Sequence, residues 1–211
     1  MTALRRHALV WLSQPPGADS RDDIDSSAAW HAAGRPFVVT RRRGPAAEVG
    51  LGFCTTDGRH PESKPRRVAA RTESRHVVRV ARPPSLAEIA RCPAARARAE
   101  SFDRVLAAAS EAGLDVRVYG SWMWQALTAE RHVHESSDLD VLIDVADLEQ
   151  ADCAATFLER QQSSLDFRID GELSFAGLGE VQWREYLQAK PEVLLKSIDS
   201  LRLAPRAELG T

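Results

Sequence analysis

The stretch from Tyr119 to Asp144, YGSWMWQALTAERHVHESSDLDVLID, holds two features that belong together. The first is a Gly-Ser turn. Val116, Val118 and Tyr119, with the polar Arg117 among them, read as a short strand, and Gly120 is the residue that lets such a strand break sharply into a helix. Ser121 stands at the N-cap position, ahead of helix formers and aromatic bulk from Trp122 to Leu127. The backbone N–H groups of Gly120, Ser121 and Trp122 are therefore predicted to point out of a helix N-terminus, an end that attracts phosphate.

The second feature is the pair Asp138 and Asp140, which opens an apolar run. In a strand, residues i and i+2 face the same way, so the two acids project from one face while Leu139, Val141 and Ile143 fill the other. Two carboxylates side by side raise each other's pKa unless a cation sits between them. Oxygen-only donors suit Mg²⁺, which keeps several waters and completes its shell with one or two carboxylates and substrate phosphates. One feature binds phosphate and the other binds the metal that phosphate brings.

Gly-Ser followed by Asp-x-Asp on the next strand resembles the signature of the nucleotidyltransferase superfamily that includes polymerase beta. The longer wording, YGSWMWQALT with SSDLDVLID, is similar to a narrower family, the phosphoribosyl-dephospho-CoA transferase of malonate decarboxylase, also called its holo-acyl-carrier-protein synthase. The resemblance runs over most of the chain. It departs at Ala129, which follows Thr128 where a glycine is expected.

The resemblance implies an α+β fold: a polymerase-beta-like mixed sheet with flanking helices, plus a smaller β-rich N-terminal lobe. It implies transfer of 2'-(5''-phosphoribosyl)-3'-dephospho-CoA from its triphosphoribosyl precursor to a serine of the apo acyl-carrier subunit of malonate decarboxylase, with release of pyrophosphate. In such an enzyme Gly120 and Ser121 hold the departing phosphates, and Asp138 and Asp140 bind Mg²⁺. The superfamily places a third carboxylate on a later strand. Leu165 to Phe175 alternates well, with acids at 166, 170 and 172, and Asp170 is the choice for that role with Glu172 next. Asp170-Gly171 is also a preferred two-residue hairpin turn, which leaves a purely backbone role open for Asp170.

Composition sets the outer limits. A chain of 211 residues, 44% hydrophobic and 27% charged, fits one soluble domain or two small lobes. The apolar run Ala8 to Leu12 is too short for a signal peptide or a membrane span, so a cytoplasmic protein is expected. Cys54, Cys92 and Cys153 have neither metal spacing nor a disulfide framework and read as reduced thiols.

Charge is uneven along the chain. Residues 1 to 100 carry 18 Lys or Arg against 10 Asp or Glu, while residues 101 to 211 carry 10 against 20. A basic first half suits a polyphosphate or an acidic carrier protein. Guanidinium forks match phosphate, which makes Arg66, Arg67, Arg71, Arg75, Arg79 and Arg82 a pool of candidate ligands. Pro83-Pro84 marks the predicted boundary between a basic lobe for substrate or partner, 1–84, and a catalytic domain, 85–211.

Other elements follow from local signals. His7 to Leu12, Pro36 to Thr40 and Val49 to Phe53 read as strands, the last two as a hairpin bearing Arg41 to Arg43. Gln14 to Ser27 and Asp57 to Pro65 read as loops. Ser85 and Glu88 have capping-box form at the start of a short helix that Pro93 ends. Ala94 to Ala112, stopped by Gly113, and Asp147 to Gln161 read as helices, as does Pro191 to Ser197.

Several further residues have open roles. His132 and His134 alternate around Val133 and can reach a phosphate or act as a base, but form no recognisable zinc set. Asp144 reads as a cap at the strand's far end. Trp183 and Tyr186 read as packing residues or as a wall for an adenine ring. A two-fold dimer is the default assembly. Neither membrane nor nucleic acid is expected as a partner. Two rivals remain: a transferase moving another nucleotide to a protein, RNA or small molecule, and a non-catalytic nucleic-acid-binding module whose binding falls with salt.

Overall fold

The backbone of the second half is organised by one mixed sheet. In this computed structural model, which describes residues 4–56, 65–128, 130–165 and 167–210, the chain divides into two compact units. The first comprises Met1–Pro83 with Leu127–His132 and Ile198–Ser200, and the second holds the remainder.

The first unit is an antiparallel five-stranded sheet. Its strands are β1 (Leu9–Leu12), β2 (Phe37–Val39), β3 (Glu48–Thr55), β4 (Arg66–Glu73) and β5 (Val77–Ala81), in the order β4-β3-β2-β1-β5. The hairpin expected around Arg41 to Arg43 is present as β2 and β3. Its glycine at 50 is needed, because a Cβ there would lie 2.7 Å from the Arg41 carbonyl oxygen. Trp30, Phe37 and Phe53 form the aromatic centre of this unit, with ring centroids 4.7 and 5.5 Å apart. Helix α1 (Arg21–Ala32) replaces the second half of the loop predicted for Gln14 to Ser27. Polar composition misled there. Ser20 accepts from the Asp23 backbone as N-cap, and Asp22 and Asp23 complement the positive helix end. The loop expected at Asp57 to Pro65 lies, up to residue 64, outside the described residues.

The second unit opens with α2 (Leu86–Ala90), whose capping box forms as the sequence predicts: Ser85 accepts from the Glu88 backbone, and Glu88 accepts from the Ser85 backbone at 2.7 Å. The long helix predicted from Ala94 divides into a 3₁₀ segment, Pro93–Arg98, and α3 (Ala99–Glu111). There follow β6 (Val116–Val118), α4 (Gly120–Thr128), β7 (Leu139–Val145), α5 (Leu148–Ser164), β8 (Ile169–Phe175), β9 (Gly179–Gln182), α6 (Trp183–Leu187), β10 (Glu192–Lys196) and β11 (Leu201–Pro205). The sheet order is β11-β10-β9-β8-β7-β6. β7 and β8 are parallel and the other neighbours antiparallel. Helix α5 is the crossover that a parallel pair requires.

Two expectations fail here. Glu192 to Lys196 is a strand, not a helix begun by Pro191. Its buried Val193 and Leu195 alternate with more exposed neighbours, and pairing on both sides by β9 and β11 decides the conformation. Asp170-Gly171 is not a hairpin turn: both residues lie inside β8. The mixed α+β architecture with two sheets is as expected. The core of this unit lies against one sheet face, where Leu139, Val141 and Ile143 pack with Phe102, Leu158 and Leu173.

Candidate active site

Strand period puts that core on one side of β7 and leaves Asp140 on the other. Leu139, Val141, Ile143 and Val145 are at most 3% exposed, whereas Asp138 and Asp140 are half-buried. Asp138 immediately precedes the strand, and Asp144 lies within it, one residue before its end. The parallel register pairs Asp140 with Asp170. Neighbours in such a ladder share a face, about 4.8 Å apart, so the two carboxyl groups stand side by side on adjacent strands.

Gly120 makes room for Asp140. It adopts φ +67°, the left-handed region open to glycine, and a Cβ on it would collide with the Asp140 carboxylate. The Tyr119 backbone N–H donates to the Asp140 carbonyl at 3.0 Å, tying the turn to the acid strand. Helix α4 begins at Gly120 itself, so Ser121 sits in its first turn and is not the N-cap the sequence reading makes it. The glycine's own positive φ makes the turn one residue earlier.

Asp170 is oriented from β9. Gln182 donates through Nε2 to Asp170 Oδ1 at 3.1 Å, while Gln182 Oε1 caps α6 by accepting from the Arg184 and Glu185 backbones at 2.7 and 3.1 Å. Glu172, the alternative third acid, is differently placed. It is 6% exposed and accepts from Lys196 Nζ at 2.7 Å, so its charge is already balanced.

Two arginines that the sequence reading did not single out approach the acids. Arg168 stands 3.8 Å from Asp138 Oδ2, and Arg184 stands 3.9 Å from Asp170 Oδ1. Arg168 shares the strand parity of Asp170, which is a signal, but Arg184 comes from beyond β9 and left none. Four of the six candidate arginines of the first unit have partners within it: Arg66 with Asp23, Arg71 with Asp19, Arg75 with Glu73, and Arg79 over the Trp11 ring.

The remaining candidates take structural places. His132 is buried, 3.8 Å from Glu130, in the first unit, and His134 closes a turn with Ser137. Trp183 and Tyr186 are 3% and 1% exposed and pack in the core, which excludes an adenine wall. Burial, and next its bond to Asp152, pushes the Tyr186 hydroxyl up to about 12. The three cysteines are free thiols. Ala129 is outside the described residues, as is Asp166.

Among the described residues no group of three or more His, Cys, Asp and Glu side chains converges as a metal cage. A pair of oxygen donors is nevertheless what Mg²⁺ takes from a protein when phosphates and water fill its other positions. Asp138 accepts no hydrogen bond among the described residues, and the space beside Asp140 depends on a missing Cβ. The donor set fits the metal. No helix among the described residues is long and apolar enough to cross a membrane.

Comparison with known proteins places the chain in a family. The N-terminal domain model of phosphoribosyl-dephospho-CoA transferase MdcG matches residues 5–83, and the C-terminal domain model matches residues 85–207. A phosphoribosyl-dephospho-CoA transferase of Xanthomonas euvesicatoria pv. vesicatoria is 36% identical, over 97% of this chain and 95% of its own length. One of Bradyrhizobium diazoefficiens is 38% identical, over 95% of this chain and 90% of its own. No solved structure matches. With both domain models matched in order along one chain, the protein belongs to the phosphoribosyl-dephospho-CoA transferase MdcG family of enzymes.

Proposed function

We propose that this protein transfers the 2'-(5''-phosphoribosyl)-3'-dephospho-CoA group from its 5''-triphosphate precursor to a serine of the apo acyl-carrier subunit of malonate decarboxylase, releasing pyrophosphate. The observation that carries the chemistry is the pairing of Asp140 with Asp170 beside the Gly120 turn. Family membership supports the substrate. It also argues against a non-catalytic nucleic-acid-binding module.

Each residue has a part. Asp138 and Asp140 hold Mg²⁺, which when bound neutralises charge on the phosphate chain. Gly120 and Ser121 present backbone N–H groups to the departing phosphates. Asp170, steadied by Gln182, takes the proton of the carrier serine as its oxygen attacks the α-phosphorus in line. The P–O bond to the pyrophosphate breaks as the serine–phosphate bond forms. On this reading the second unit carries a nucleotidyltransferase site of the polymerase-beta kind.

The test is the intact mass of purified apo carrier after incubation with this protein, the triphosphate precursor and Mg²⁺, beside an EDTA control. A gain equal to the phosphoribosyl-dephospho-CoA group, seen only with the metal, is expected. Asp138→Asn and Asp140→Asn are expected to abolish the gain and leave the melting temperature near that of the parent. Near-normal transfer by either variant would overturn the assignment of these acids, and no gain by the parent on a competent carrier would overturn the substrate.

A further inference from the structure

The acids do not stand alone. Asp138, Asp140 and Asp170 bring three formal negative charges to the rim of one sheet face, and two guanidinium groups stand within 4 Å of them without hydrogen-bonding to them. Distances of 3.8 and 3.9 Å are those of a counter-ion, longer than the 2.7–3.2 Å of a hydrogen bond. Both forks therefore keep donors in reserve.

Arg184 is built into its position. Its guanidinium lies 4.3 Å over the Trp183 ring, and its NH2 group donates to Gln162 Oε1 at 2.8 Å. Gln162 Oε1 also accepts from the Ile169 backbone at 2.8 Å, so one amide fixes Arg184 and the first residue of the Asp170 strand together. The NH1 group is buried with no hydrogen-bond partner among the described residues. A buried unpaired donor is costly and calls for an acceptor. Burial, followed by the charge of Arg168, lowers the Arg184 pKa, and the charges of Asp170 and Asp138 act to raise it, which places all four groups in one electrostatic neighbourhood.

Arg168 is the mobile counterpart. Its side chain is 58% exposed, and among the described residues it donates no hydrogen bond. The strand order sets these arginines apart from the Gly-Ser turn. β6 delivers the turn on one flank of β7, while Arg168 enters β8 and Arg184 leaves β9 on the other flank. The carboxylates lie between the Gly-Ser turn and two guanidinium groups that keep donors in reserve.

We propose that Arg168 and Arg184 form a second anion subsite, which binds phosphate oxygens of the substrate across the acids from the Gly-Ser turn. The identity of that substrate rests on the reading of the function given above, whereas the anion site itself does not. Without ligands the two arginines balance the acids. When a cation takes over that role, the forks are released to phosphate, which they match bidentately. Two phosphate sources share this chemistry: the triphosphate chain and the pyrophosphate bridge within the dephospho-CoA moiety.

Calorimetry separates them. Tripolyphosphate and dephospho-CoA are titrated in Mg²⁺ into the parent, Arg168→Gln, Arg184→Gln and Arg184→Lys. Loss of a charge-assisted hydrogen bond weakens binding by about 10- to 100-fold. A loss of that size for tripolyphosphate alone assigns the subsite to the triphosphate chain, and for dephospho-CoA alone to its bridge. Arg184→Lys is expected to recover only part of the affinity, because a point charge replaces a fork. Both probes binding Arg168→Gln and the folded Arg184 variants within twofold of the parent would overturn the subsite, leaving the arginines as counter-ions only. The carrier-mass assay on the parent reads the function independently. Lost binding in the variants beside a parent inactive in that assay keeps the anion site and removes the substrate reading.

Discussion

The missing side chain at Gly120 is the most demanding single requirement of the site. Gly113 offers a control, because it has nearly the same φ, +64°, with nothing within 4 Å of an added Cβ. Alanine at either position carries the strain of the left-handed region, about 1–2 kcal/mol. Only at Gly120 does it also displace a carboxylate, and a misplacement of about 1 Å near reacting atoms costs about 100-fold in rate. Gly120→Ala is expected to lose stability in urea and nearly all transfer, and Gly113→Ala to lose stability alone. Equal transfer by the two variants would show that the Asp140 position is not critical. At this scale the sequence was readable where one strand suffices: the i, i+2 parity of Asp138 and Asp140 needs no partner. Asp170 was ambiguous because Asp-Gly carries the same local signal in a turn and in a buried parallel strand. Arg184 was invisible, since sheet topology alone brings residues beyond β9 to the acids.

Elements with self-contained signals were legible and elements decided by pairing were not. The capping box of α2 lies wholly within Ser85 to Glu88, and it forms as read. Helix α1 was missed because its apolar content is sparse and its acidic start resembles a loop. Strand β10 was misread because Pro191 is a helix-start signal that two neighbouring strands override. The capping box makes a prediction with a sign. The Ser85 backbone N–H, and then its hydroxyl, hold the Glu88 carboxyl below its usual 4.5. A lowered carboxylate pKa contributes stability that is present above the unfolded value and lost as pH falls through the folded one. Ser85→Ala is expected to cost about 1 kcal/mol at neutral pH, and less below that window, by urea unfolding at both values. An equal cost at both pH values would mean that the Ser85 hydroxyl does not stabilise the Glu88 charge.

At the scale of the whole molecule, the uneven charge of the two halves bears on the proposed encounter with a carrier protein. Its sign pattern was plain in the sequence, but which arginines remain available was not. Arg66, Arg71 and Arg75 turn out to be paired within the first unit. On the proposed function, an acidic carrier would then be steered by the net positive surplus of the first half, acting at long range. Raising the salt from about 0.01 to 0.15 M shortens the Debye length from about 30 to 8 Å. The KM for the apo carrier is expected to rise several-fold over that range, with kcat little changed. A KM that stays flat would assign carrier recognition to short-range packing.

The register between β7 and β8 also imposes an order in time. Asp138 and Asp140 leave the ribosome 32 and 30 residues before Asp170, and Lys196, which neutralises buried Glu172, follows later still. A nascent chain ending at the α5 crossover holds the glycine turn and the first two acids but no strand to set the third beside them. On the proposed roles of these acids, competence for transfer is withheld until β8 has been made, so that products truncated before that strand stay chemically silent.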